Sequence, residues 1–180
     1  MRALRQLLGL EPRRDDARDT QTVLRIAREL DSLPADEARF LAAFAYVLAR
    51  VARADLEVSD AEMRTMVEIV QEYSDLPTPE ATLVVTMAKT MATTLGGTEN
   101  YVVTRQFREM ANRAQRVDLL RCLFAVAASD ESISSVESAE ITRIGTELGF
   151  APDEIVAVRS AFRNQLADLK GLRSEEPEEQ

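Results

Sequence analysis

The sequence predicts an all-α protein, a single helical bundle of about seven to eight helices that includes two pseudo-repeated helical hairpins. Three observations predict it. From Thr20 onward apolar residues recur at three- and four-residue spacing, the period of a half-buried helix. Alternating β-branched runs, the signature of strands, are scarce. Segment ends carry helix punctuation, with Pro and acids at starts and Gly at stops. A chain of 180 residues suits one domain with a sizeable core.

The elements follow in order. Residues 1–10 form a short amphipathic helix with Leu4, Leu7 and Leu8 on one side, and Pro12 with RRDDARD reads as a linker, so 1–17 is one unit. The helical domain spans 18–170, and the acidic segment 171–180 has almost nothing to bury and is expected to be disordered. Inside the domain, Val23, Ile26, Ala27 and Leu30 mark a helix stopped near Ser32-Leu-Pro34. Pro34 suits the first turn of the next helix, with Asp36 and Glu37 at its positive end. That helix carries Phe40, Phe44, Val47, Leu48 and Val51 on one face and ends near Ala54. Another begins at Ser59 and buries Met63, Met66, Val67 and Val70. Thr78-Pro-Glu80 opens a helix that Gly96-Gly97 closes. A helix over roughly 99–111 holds Tyr101, Val102, Phe107 and Met110. Leu119, Leu123 and Val126 mark the next, Ile141, Ile144 and Leu148 the one ending at Gly149, and a last runs from Pro152 to about Lys170.

Composition narrows the chemistry. A formal charge of −9 disfavours a general nucleic-acid binder, which needs a clustered basic face, and favours cations or basic protein surfaces as partners. Arg105, Arg108, Arg113 and Arg116 do put basic charge mid-chain, a solvated face by default and a potential contact for an acidic partner. The chain has no His and no Trp, so imidazole acid–base chemistry, Ser-His or Cys-His nucleophile pairs and ordinary zinc sites are excluded. Cys122 stands alone between Leu119 and Leu123, which predicts a buried thiol and no intrachain disulfide. No apolar run approaches the roughly 20 residues that span a bilayer. MRALRQLLGLEP is too short in its apolar part for a secretory signal. A cytoplasmic location is expected, with membrane contact at most peripheral through residues 1–10.

A duplication carries most of the functional signal. Ala54-Asp-Leu-Glu-Val-Ser-Asp-Ala-Glu62 shares its skeleton with Ser129-Asp-Glu-Ser-Ile-Ser-Ser-Val-Glu137. Aligning Asp55 with Asp130 pairs Phe44 with Leu119, Val47 with Cys122, Leu48 with Leu123 and Val51 with Val126. Downstream it pairs Val58 with Ile133, Ser59 with Ser134, Glu62 with Glu137, Met66 with Ile141 and Ile69 with Ile144. Each copy is therefore helix, short acidic turn, helix, and two such hairpins are expected to pack as a pseudo-symmetric pair with their acidic turns close together.

Ser59-x-x-Glu62 and Ser134-x-x-Glu137 each fit a capping box, which accounts for both serines and both glutamates on structural grounds alone. The aspartates resist that account. Asp55 and Asp130 follow the carboxyl ends of helices, where an acid is unfavourable by roughly 0.3–1 kcal/mol. Glu57, Asp60 and Glu62 then crowd more negative charge into the first turn. Oxygen-only ligands of this kind suit Ca²⁺, Mg²⁺ or Mn²⁺. The candidate metal ligands are Asp55, Glu62, Asp130 and Glu137, with Glu57 and Asp60 as auxiliaries. Neither turn is an EF-hand: its sixth and twelfth positions are Asp60 and Met66 in one copy, Ser135 and Ile141 in the other.

The doubled pattern resembles the tellurite-resistance TerB-like family, whose all-helical members carry a twofold Ala-Asp-Gly-x-(Ile/Val)-Ser-x-x-Glu motif. The matches are Ala54, Asp55, Val58, Ser59 and Glu62, then Asp130, Ile133, Ser134 and Glu137; Ile144-Gly-Thr-Glu-Leu-Gly-Phe150 with Ala-Pro-Asp-Glu154 looks like the family's C-terminal hairpin. The resemblance covers about residues 20–166. Leu56 and Glu131 stand where the motif has Gly. It implies a compact bundle whose acidic patch binds divalent cations, and protein contacts in stress-response or co-chaperone systems. The expected function is a non-catalytic acidic module binding a divalent cation, a protein partner, or both, in a stress or tellurite-resistance context. A purely structural adaptor, co-chaperone-like, is the alternative. A metal-dependent hydrolase using the same carboxylates is a second, for which the sequence names no general base.

Overall fold

The structure, a computed structural model, describes residues 17–51, 60–92, 100–129 and 132–163. Eight helices are found among them: α1 (Ala17–Ser32), α2 (Ala35–Val51), α3 (Asp60–Tyr73), α4 (Thr78–Ala92), α5 (Asn100–Met110), α6 (Arg113–Ala128), α7 (Ser135–Glu147) and α8 (Pro152–Ser160). Among the described residues there is no strand, only an isolated bridge at Ile133. No described helix is long and apolar enough to cross a membrane. The short helix expected over 1–10, the acidic turn 52–59, the Gly96-Gly97 stop and the acidic segment 171–180 lie outside the described residues.

Helix α2 is the hub, and α1, α4, α5, α6 and α7 all pack on it. The sequence suggested one apolar face; instead every residue from Leu41 to Val51 is buried. Ala42, Ala43, Ala45 and Ala49 explain the difference, because small side chains between Phe44, Val47 and Leu48 let neighbouring helices close on all sides. Phe40 and Phe44 meet Phe107 of α5 with ring centroids 5.2 and 5.9 Å apart. At the other end of the core, Phe162 stacks on Phe124 of α6 at 5.9 Å and approaches Tyr73 of α3 at 6.1 Å. Burying each such ring is worth about 1.5–3 kcal/mol.

Helix α5 buries only part of its apolar set. Val103, Thr104 and Phe107 point inward, whereas Tyr101, Val102 and Met110 are 59%, 51% and 41% exposed. Phe107 packs between the α2 rings, and its i−4 neighbour Val103 follows it to the core, so Tyr101 and Val102 rotate out. The end of the domain also differs. Helix α8 stops at Ser160 with Ala161 as its C-cap, so the helix does not run on to Lys170. Phe162, set in the turn that follows, then folds back onto Phe124.

The close of α7 is where glycine is required. Gly149 has φ +85° and its N–H bonds the Thr146 carbonyl at 3.0 Å, while the Phe150 N–H reaches the Gly145 carbonyl at 3.0 Å. That pair of bonds is a Schellman cap, which needs the left-handed conformation glycine adopts without strain. One turn earlier Gly145 leaves room for α8: a Cβ there would stand 2.8 Å from Ile155 Cδ1.

Candidate functional site

The duplicated hairpins are α2–turn–α3 and α6–turn–α7. Their register agrees with the sequence alignment, since Phe44 and Leu119, Val47 and Cys122, Leu48 and Leu123, and Val51 and Val126 are all buried. Met66 and Ile141 are buried as well. Packing follows the exchange a pseudo-twofold axis demands: α2 lies on α7, α3 lies on α6, and α2 meets its counterpart α6. The two hairpins therefore share one interface.

The six candidate ligands divide by what is described. Asp55, Glu57 and Asp130 lie outside the described residues, as does the side chain of Asp60, whose backbone opens α3. Glu62 is exposed on the first turn of α3. Glu137 is half-buried and closes the capping box of α7. Its Oε2 accepts from the Ser134 N–H at 2.8 Å and from the Ser134 hydroxyl at 2.6 Å, while Ser134 Oγ accepts from the Glu137 N–H at 3.2 Å. Both of these bonds fall on one carboxylate oxygen. Ile133, just before the cap, is buried, but Ser138 occupies the position opposite it, so the hydrophobic staple is absent from this copy. Among the described residues no group of three or more His, Cys, Asp or Glu is placed to hold a metal ion.

Just upstream of the first acidic turn the structure holds a cluster that the sequence reading missed. Arg50, on the last turn of α2, has a side chain only 1% exposed. Its Nε and Nη2 donate to Glu140 Oε1 at 3.0 and 2.7 Å, and its Nη1 donates to Glu147 Oε2 and Thr104 Oγ1, both at 2.6 Å. The Thr104 hydroxyl in turn donates to the Asn100 carbonyl at 2.9 Å. Desolvation of the guanidinium works to lower its pKa, but the hydrogen bonds and charges of Glu147 and Glu140 outweigh it and hold the pKa above its ordinary value. One side chain thus ties the end of α2 to α5 and to two turns of α7. The signal was present: Arg50 sits among Val47, Leu48, Ala49 and Val51, where a charge is buried and must find a partner. Glu140 and Glu147, seven residues apart, share a helix face.

Cys122 is fully buried, and burial first, with the Asp118 charge behind it, pushes its thiol up to about 12. A thiol so rarely ionised is a packing group, not a nucleophile.

Fold and site together define an all-helical domain built on a duplicated helix–acidic turn–helix unit. The family model described as "Tellurite resistance protein TerB" matches residues 40–160, well over half of the chain. The chain belongs to the TerB family. That family is generally non-catalytic. No curated protein and no solved structure gave a match.

Proposed function

We propose that this protein is a non-catalytic TerB-family module whose two acidic turns bind a divalent cation, a protein partner, or both, in a tellurite-resistance or stress context. The observation that carries the proposal is the reciprocal packing of the duplicated hairpins, α2 on α7 and α3 on α6, which favours placing both turns at one end of a common interface. Donor chemistry agrees: Asp55, Glu57, Asp60, Glu62, Asp130 and Glu137 offer only oxygen, which suits hard cations such as Ca²⁺, Mg²⁺ or Mn²⁺. The capping bonds leave Glu137 a second carboxylate oxygen for such a role.

Calorimetric titration with each cation tests the proposal, paired with thermal melting. A ligand that binds only the folded state at about 100 times its Kd adds about 2.7 kcal/mol of stability. Heat of binding and a raised Tm are expected, both lost in Asp55→Asn with Asp130→Asn. No heat and no shift at millimolar cation remove the cation clause. A second reading has one observation in its favour. The capping box at Ser134 and Glu137 is complete without any ligand, as a purely structural adaptor or co-chaperone-like domain would require. Under that reading the double Asn variant keeps its partner binding.

A further inference from the structure

One stretch of the chain carries charge opposite in sign to the acidic turns. In a chain of net charge −9, residues 105–116 hold four arginines and one glutamate. Tyr101, Arg105, Arg108, Glu109 and Glu147 line an open cavity of about 260 Å³. Its two acids already have partners: Glu109 pairs with Arg105 at 3.1 Å and Glu147 with Arg50 at 2.6 Å. Arg108, by contrast, has no carboxylate within 4.0 Å among the described residues. Arg116 donates to the carbonyls of Asn112 and Leu148, at 3.4 and 2.9 Å. These two guanidiniums converge over Gly149: a Cβ built there would lie 3.1 Å from Arg108 Nε and 3.5 Å from Arg116 Nη1. Like charges held this close are favoured by an anion set between them.

We propose that the acidic segment Ser174–Gln180 of the same chain docks on this arginine cleft, pairing its glutamates with Arg108 and Arg116 beside Tyr101. Charge complementarity selects this occupant, because Glu175, Glu176, Glu178 and Glu179 put four carboxylates into seven residues. Reach is sufficient. The stretch from 164 to 180 extends up to about 60 Å, beyond the diameter of about 40 Å expected of a domain this size. A short tether also keeps the segment near its site at an effective concentration around millimolar, so exposed ion pairs too weak to hold a free peptide still populate a docked state. Occupied this way, the cleft is shielded from other acidic partners, which must displace the segment to bind. The inference is independent of the cation reading.

A nitroxide on Gln180→Cys in the full chain tests it. The native thiol, buried at Cys122, does not compete for the label. At low salt the label is expected to broaden the amides of residues 101–109 and of 116. That broadening should be lost at about 1 M salt, where the Debye length falls to about 3 Å. It should be lost equally in Arg108→Gln, and in a segment with Glu175, Glu176, Glu178 and Glu179 all changed to Gln. Broadening that is absent, evenly spread, or unchanged in both variants overturns the proposal. So does equal broadening when a labelled chain is mixed with an unlabelled, isotope-enriched one, since the segment then docks on a second copy.

Discussion

Arg50 shows at a single residue how this fold holds a charge in its interior. The guanidinium directs donors to Glu140, Glu147 and Thr104, and none of those partners lies within 50 residues of it in sequence. Truncating such a side chain removes more than its own bonds, because Glu147, with a side chain 12% exposed, then loses its counter-charge, and Glu140, 24% exposed, keeps only Arg143 at 3.7 Å. Breaking a buried ion pair from one side costs about 3–5 kcal/mol, or roughly 6–20 °C in Tm at this chain length. Arg50→Ala is expected to show a loss of that size by thermal melting. Adding Glu140→Gln and Glu147→Gln to it should recover part of the loss. Arg50→Lys should not rescue fully, since an ammonium cannot reproduce the fork that spans Glu140, Thr104 and Glu147. A loss below about 1 kcal/mol for Arg50→Ala would mean that the cluster is an exposed surface pair, of the kind that contributes little.

At the scale of the helix, Ser134 and Glu137 separate structural from ligand roles. Ser134→Ala removes the cap oxygen and is expected to cost about 1 kcal/mol by chemical denaturation. Glu137→Gln is the informative partner, because glutamine also closes a capping box. Stability should therefore hold in Glu137→Gln, while cation affinity falls if the carboxylate is a ligand; unchanged affinity assigns Glu137 to capping alone. Much of this level was legible in sequence. Ile26 and Leu30, Met66 and Val70, and Ile141 with Ile144 mark their helices by spacing, and Gly149 marks a stop that only a left-handed residue supplies. What spacing did not reveal was which helix lies at the centre. Alanine reads as neutral in a periodicity count, so α2 looked one-sided until its alanines were seen to admit neighbours all round. Spacing also left the inward face of α5 unassigned: Tyr101, Val102, Phe107 and Met110 do not fall on one stripe, and the ring cluster at Phe107 sets the rotation. Of the six candidate ligands, the structure describes the side chains of Glu62 and Glu137, and it adds Arg50, which reveals itself only through partners far along the chain.

For the molecule as a whole, the open question is whether two acidic turns share one electrostatic field. Reciprocal packing of α2 on α7 and α3 on α6 makes the hairpins neighbours, and Arg50 fastens the end of the first to the second helix of the other. A double-mutant cycle on Asp55→Asn and Asp130→Asn turns that proximity into an energy. If the carboxylates lie within a Debye length of about 8 Å at physiological salt, each single neutralisation relieves the same repulsion. The double variant then gains less stability than the two single gains combined. Residues in one network couple by about 0.5–3 kcal/mol, whereas distant ones add to within about 0.3–0.5 kcal/mol. A coupling of at least about 0.5 kcal/mol is expected in denaturation at low salt without added cation. It should vanish at about 1 M salt, where screening reaches about 3 Å, and should diminish when a bound cation already neutralises the pair. Strict additivity under all three conditions places the turns in separate fields, and a cation shared between the hairpins then has no site to occupy.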